Sequence, residues 1–141
     1  MEALHAASLV GDVSKIHLAL QTGVEVDSKN AQGATCLMLA SAAGYVDASQ
    51  VVVDDQAAWL ESTQVLLEAG AAVNLRDPGG RTALIWASAI GQEGSVRVLL
   101  EAGAVVDAAD ENRTSALMHA SQNGRADAVR VLTEAGAAMH L

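Results

Sequence analysis

The stretch Asp77-Pro78-Gly79-Gly80-Arg81-Thr82-Ala83-Leu84-Ile85-Trp86-Ala87-Ser88-Ala89-Ile90-Gly91, with its continuation to Leu99-Leu100-Glu101-Ala102-Gly103-Ala104, decides how the chain folds. Asx and glycine at its start suit a tight turn. Thr82 then stands where a helix wants its N-cap. A short run rich in Ala and Leu follows, and Gly91 can take the left-handed conformation that stops a helix. A second apolar run, with Val96, Val98, Leu99 and Leu100, ends at Gly103. The unit reads helix, turn, helix, extended turn.

The unit recurs along the chain. Gly11, Gly44, Gly91 and Gly124 form one series, spaced 33, 47 and 33 residues apart. Gly23, Gly70, Gly103 and Gly136 form a second, spaced 47, 33 and 33. The period is therefore 33, and the second unit carries 14 extra residues. Before the first series stand Ala3-Leu4-His5-Ala6-Ala7-Ser8, Thr35-Cys36-Leu37-Met38-Leu39-Ala40-Ser41 and Ser115-Ala116-Leu117-Met118-His119-Ala120-Ser121. Thr35 and Ser115 are expected to cap helices as Thr82 does. A single helix pair of this kind cannot bury its own apolar faces, so it must stack on copies of itself.

The residues resemble the ankyrin repeat, whose pattern runs Asp-x-x-Gly-x-Thr-Pro-Leu-His-x-Ala-Ala-x-x-Gly, then an apolar helix, then Leu-Leu-x-x-Gly-Ala-Asp-Val-Asn. Asp77 to Asp107 matches best. The resemblance implies an all-α solenoid of four helix-turn-helix repeats with β-turn or hairpin fingers, at about 1–29, 30–76 with the insertion 45–58, 77–109 and 110–141. Three departures stand out. The family's Pro is replaced by Ala3, Cys36, Ala83 and Ala116, and its His survives only at His5. Met38, Ile85 and Met118 take the other His places, so apolar packing should substitute for the bracing hydrogen bonds. The family's second Ala is Ser at Ser8, Ser41, Ser88 and Ser121, each able to bond back to a carbonyl four residues earlier. Units at the ends of a solenoid need polar outer faces. Arg125, Asp127, Arg130 and Thr133 supply one in unit 4, whereas unit 1 shows Leu9, Val10 and Ile16.

Composition bounds the rest. The chain has 141 residues, 51% of them apolar, with no Phe, one Tyr and two Trp, which favours close-packed helices over a sandwich. A net charge of −9 argues against nucleic acid and anionic membranes and mildly favours a basic protein partner. The single Cys36, the absence of a basic leader at Met1-Glu2-Ala3-Leu4-His5 and the lack of a long apolar run point to the cytoplasm, with the nucleus as the alternative.

Neither metal nor cofactor is expected. His5, His17, His119 and His140 lack the close paired spacing of a zinc site, and Cys36 reads as buried filler. Asp77 to Arg81 lacks the Lys-Ser/Thr of a phosphate loop. The chain is thus expected to be a monomeric protein–protein interaction scaffold and not an enzyme. The alternative is a segment of a larger enzyme or receptor in which the array positions another domain. By the resemblance, partner-binding positions are Gln32, Ala34, Arg81, Glu111, Asn112 and Thr114 on the fingers, and Trp86, Ile90, His119, Gln122 and Asn123 on the inner helices. Trp86 with Arg81 is the expected hot spot. Val52, Asp54, Asp55 and Trp59 are candidate contacts of the insertion, which is expected as a loop from about Tyr45 to Gln56 with helical character near Ala57.

Overall fold

The computed structural model describes residues 2–10, 12–41 and 56–137. Over these residues it holds eight helices: α1 (Glu2–Val10), α2 (Val13–Gln21), α3 (Cys36–Ser41), α4 (Gln56–Glu68), α5 (Ala83–Ile90), α6 (Glu93–Glu101), α7 (Ala116–Gln122) and α8 (Ala126–Glu134). The start of each inner helix is set locally. Thr35, Thr82 and Ser115 accept the N–H groups of Met38, Ile85 and Met118 at 3.3, 3.3 and 3.4 Å. Gly91 stops α5 at φ 87°.

Helices this short are marginal in isolation, and stacking holds them. The inner helices α1, α3, α5 and α7 lie side by side in one layer, and α2, α4, α6 and α8 form the second. The repeat places Leu4, Leu37, Leu84 and Leu117 in one column, each at most 2% exposed. Ala7, Ala40, Ala87 and Ala120 form a second column, small enough to bring neighbouring helices together. Leu66, Leu99 and Leu132 fill the outer layer's inward face. Ile16 belongs to this core, fully buried, rather than to the apolar end face that the sequence suggested.

Polar bonds set the register between units. Asp27 accepts the Ala72 N–H at 2.8 Å, and Asn74, one unit on, accepts the Val105 N–H at 2.9 Å. Lys29 Nζ donates to the Arg76 carbonyl at 3.0 Å, and Arg76 donates in turn to the Ala109 carbonyl at 2.7 Å. Each finger tip turns through a left-handed residue: Gly33, Gly80 and, in the last finger, Arg113 at φ 61°. A Cβ on Gly80 would stand 3.0 Å from the Glu111 nitrogen of the next finger. Among the described residues no further finger packs on Arg113, so a side chain fits there, although the backbone conformation still costs about 1–2 kcal/mol.

The departures from the family pattern are accommodated as follows. Met38 and Ile85, at the places of the bracing His, are each 1% exposed. His5 Nε2 donates to the Ser28 carbonyl at 2.9 Å, a tie between the first unit and the chain leading to the second. The serine row behaves unequally. Ser8 bonds back to the Leu4 carbonyl at 2.8 Å as expected. Among the described residues the buried Ser41 and Ser88 hydroxyls have no partner, and Ser121 is exposed because no further helix pair covers it. Helix α4 starts at Gln56 and includes Ala57, in keeping with helical character there. Val52, Asp54 and Asp55 lie outside the described residues.

Removing the unpartnered hydroxyl in Ser88→Ala should raise unfolding stability by about 1 kcal/mol, and Ser8→Ala should gain clearly less. Arg113→Gly should add about 1 kcal/mol by relieving the left-handed backbone. Urea titration of the three variants checks both.

Candidate partner-binding cleft

An acidic or amide residue opens each finger and organises it from within. Asn30 Oδ1 accepts the N–H groups of Gln32 and Ala34 at 3.0 and 2.9 Å. Asp77 Oδ1 accepts those of Gly79 and Arg81 at 3.0 and 2.8 Å, and Asp110 Oδ1 those of Asn112 and Thr114 at 2.9 and 3.0 Å. The backbone task is the same in all three. A carboxylate leaves a second strong acceptor over, and the inner helix uses it.

In the third unit Asp77 Oδ2 accepts the Trp86 indole N–H at 3.1 Å and the Arg81 Nε–H at 3.0 Å. The Arg81 guanidinium lies over the Trp86 ring, 4.5 Å from its centroid, within cation–π range. In the fourth unit Asp110 Oδ2 lies 2.9 Å from His119 Nε2. Burial works to raise the Asp110 pKa, but the Thr114 N–H, the His119 ring and the Asn112 N–H outweigh it and hold the carboxyl below its ordinary 3.8. Asp110 is therefore ionised and can only accept, so His119 Nε2 carries the proton.

These two braced side chains form part of the wall of a cleft of about 410 Å³ between the third and fourth units. Arg81, Ile85, Trp86, Ala89 and Ile90 line it from one side and His119, Asn123 and Arg125 from the other. Asn123 Nδ2 donates to the Ala89 carbonyl at 2.9 Å, and Arg125 Nε donates to the same oxygen at 3.3 Å. The aliphatic stem of Arg125 crosses Gly91, where an added Cβ would stand 2.8 Å from Arg125 Cδ. The cleft is held by bonds across the repeat boundary.

A sequence model for the family, described as ankyrin repeats (3 copies), matches residues 56–141. The chain belongs to the ankyrin repeat family. No curated protein matches it. Ankyrin repeats generally mediate protein–protein interaction. No helix among the described residues of this ankyrin chain is long and apolar enough to cross a membrane.

Of the candidate positions, the ankyrin stack brings Arg81, Trp86, Ile90, His119 and Asn123 to one cleft. Gln32, Glu111, Asn112 and Gln122 are exposed but do not line it. Thr114 is half-buried at its finger base. Ala34 is a correction: at 5% exposure it closes its finger, with its carbonyl accepting the Asn30 N–H, and offers a partner no surface. Trp59 lies on α4, its side chain outside the described parts. Sequence reasoning read Arg125 as part of a polar end face, whereas it borders the cleft. A signal was available. Arg125 occupies an N-cap position, where Asp12 of the first unit accepts the Lys15 N–H. A cation makes no such bond and opposes the helix dipole.

The lowered Asp110 pKa fixes the sign of an acid effect. Its contribution is complete above the unfolded-state value near 4 and is lost as pH falls through the folded-state value. Asp110→Asn, which keeps an Oδ1 acceptor for the Asn112 and Thr114 N–H groups as Asn30 does in its own finger, should lose less stability between pH 7 and pH 3 than the unmodified chain. Urea titration at the two pH values measures the difference.

Proposed function

We propose that the chain is a non-enzymatic recognition module whose protein partner seats in the cleft between the third and fourth units. The observation that carries this reading is the rigid juxtaposition of Arg81 on Trp86 with Ile90, Asn123 and Arg125, on elements fixed by the finger carboxylates. Trp and Arg are the residue types most enriched where binding energy concentrates. A preorganised surface loses little entropy on binding. Asp77 and Asp110 are occupied in bracing, which makes them supports and not acid–base groups. Cys36 is fully buried, and burial pushes its thiol above the ordinary 9.0 despite the Ser8 hydrogen bond, the opposite of an activated nucleophile.

Trp86 serves binding by carrying Arg81 as well as by its own surface. Substituting it therefore tests the fold and the site together, and a cleaner probe is Ile90, half-buried on the cleft wall. Affinity capture from native extract should recover a partner with the unmodified chain. Ile90→Asp should weaken that interaction by at least about 2 kcal/mol. Leu18→Asp, at a residue 62% exposed on the outer helix α2, should leave capture unchanged. Equal capture by all three proteins would place the contact elsewhere.

A further inference from the structure

The charges of the chain are unevenly disposed, and the disposition selects a partner. Among the described residues, the outer layer carries exposed carboxylates at Glu61, Glu68, Glu101 and Glu134. Its cations are mostly neutralised there: Glu93 receives Arg97 at 3.0 Å and Arg130 at 3.1 Å, and Arg130 also meets Asp127 at 3.6 Å. The cleft is the reverse. Its lining has two arginines, a histidine and an asparagine, and no carboxylate. The two carboxylates that brace its walls face inward, whereas Glu111 beside Gly80 and Asp127 near Arg125 are exposed. Asp77 is 3% exposed, with both oxygens occupied, and Asp110 is 6% exposed.

The two arginines are prepared in the same way. Each spends its Nε–H on an internal acceptor, Asp77 Oδ2 for Arg81 and the Ala89 carbonyl for Arg125. Each is further fixed along its length, Arg81 by the Trp86 ring beneath it and Arg125 by its passage over Gly91. The terminal Nη groups of both have no partner among the described residues, and both side chains are exposed. Arg125 has no carboxylate at all within ion-pair distance among them. Pre-oriented guanidinium edges present paired donors at the spacing of carboxylate oxygens, and holding them beforehand reduces the ordering cost of binding. Beside them Trp86, Ala89 and Ile90 are half-buried and apolar.

Resting on the recognition function above, we infer that the cleft takes an acidic segment of a partner protein. An Asp or Glu carboxylate of that segment bridges the Arg81 and Arg125 forks, and an adjacent apolar side chain covers Ile90 and Ala89. The net charge of −9 taken alone favours a basic partner. At this surface the groups a partner meets are the guanidinium edges of Arg81 and Arg125, while Asp77 and Asp110 are covered, and carboxylates beyond about 8–10 Å are screened.

A random library of unmodified dodecapeptides selected against the full chain tests the assignment. The selected peptides should be enriched in Asp and Glu next to a large apolar residue. Replacing the acidic residue of the best binder by its amide should weaken binding about tenfold by fluorescence anisotropy. Arg125→Gln should cost a similar factor, and the two changes together should cost less than their product, since they remove one interaction. Arg125→Glu should shift selection toward Lys and Arg. Thermal melting followed by circular dichroism checks that each variant is folded.

Neutral or basic peptides that Ile90→Asp still abolishes would overturn the acidic occupant and leave the cleft as the binding site. Losses that simply multiply would do the same. Selected peptides indifferent to Ile90→Asp, or none selected, would overturn both readings. A phosphoserine analogue binding tenfold tighter than the Glu peptide would replace the carboxylate by a phosphate-bearing segment.

Discussion

A pair of helices of about nine residues has more apolar surface than it can hide against itself, and every other feature of this chain follows from hiding it on a neighbour. Leu4, Leu37, Leu84 and Leu117 are buried because each inner helix lies against the next. The alanine column lets those helices approach and pack densely along the stack. Hydrophobic burial is non-directional, so it holds units together without choosing how far one slides past the next. The polar ties from Asp27, Asn74, Lys29 and Arg76 to the backbone of the following unit make that choice.

The fingers connect this stacking to the cleft. Asn30, Asp77 and Asp110 do identical backbone work with one oxygen. Where the residue is Asn, the remaining group is an amide and the inner-helix position nearby is Leu39. Where it is Asp, a second anionic oxygen is buried and needs donors, and the facing positions are Trp86 and His119. Chemical demand inside the finger thus dictates which polar side chains stand at the head of the groove. In the third unit the same carboxylate also turns Arg81 onto the indole. A requirement of folding has been met by groups whose exposed edges line the cleft.

The fold was legible because it is written redundantly. Glycine spacing, Thr and Ser caps and apolar columns all state the same period, and Gly91, Thr82 and Ser115 act as their residue types require. The cleft was only partly legible. Arg81, Trp86, Ile90, His119 and Asn123 lie at positions the repeat pattern exposes, so sequence register alone could find them. Ala34 was misjudged because register does not reveal that a methyl at a finger base is swallowed by the turn it closes. The serine row was misjudged in part because back-bonding depends on side-chain rotamer, and Ser41 and Ser88 do not make the bond that Ser8 makes.

Arg125 shows why the remainder was hidden and how it can be recovered. Its position begins an outer helix, where Asp12 provides a capping oxygen in the first unit and where a guanidinium contributes none. At that place an arginine works against local stability, by the missing cap and by its charge beside the positive end of the helix dipole. A residue that offends a local rule while its stem is seated across Gly91 and its Nε is tied to the adjacent unit is held in place for something other than the helix it begins. Departures from local consistency concentrate at functional sites. Here the departure leaves a positive charge with no carboxylate at ion-pair distance among the described residues, at the edge of a cleft, in a chain with an excess of carboxylates elsewhere.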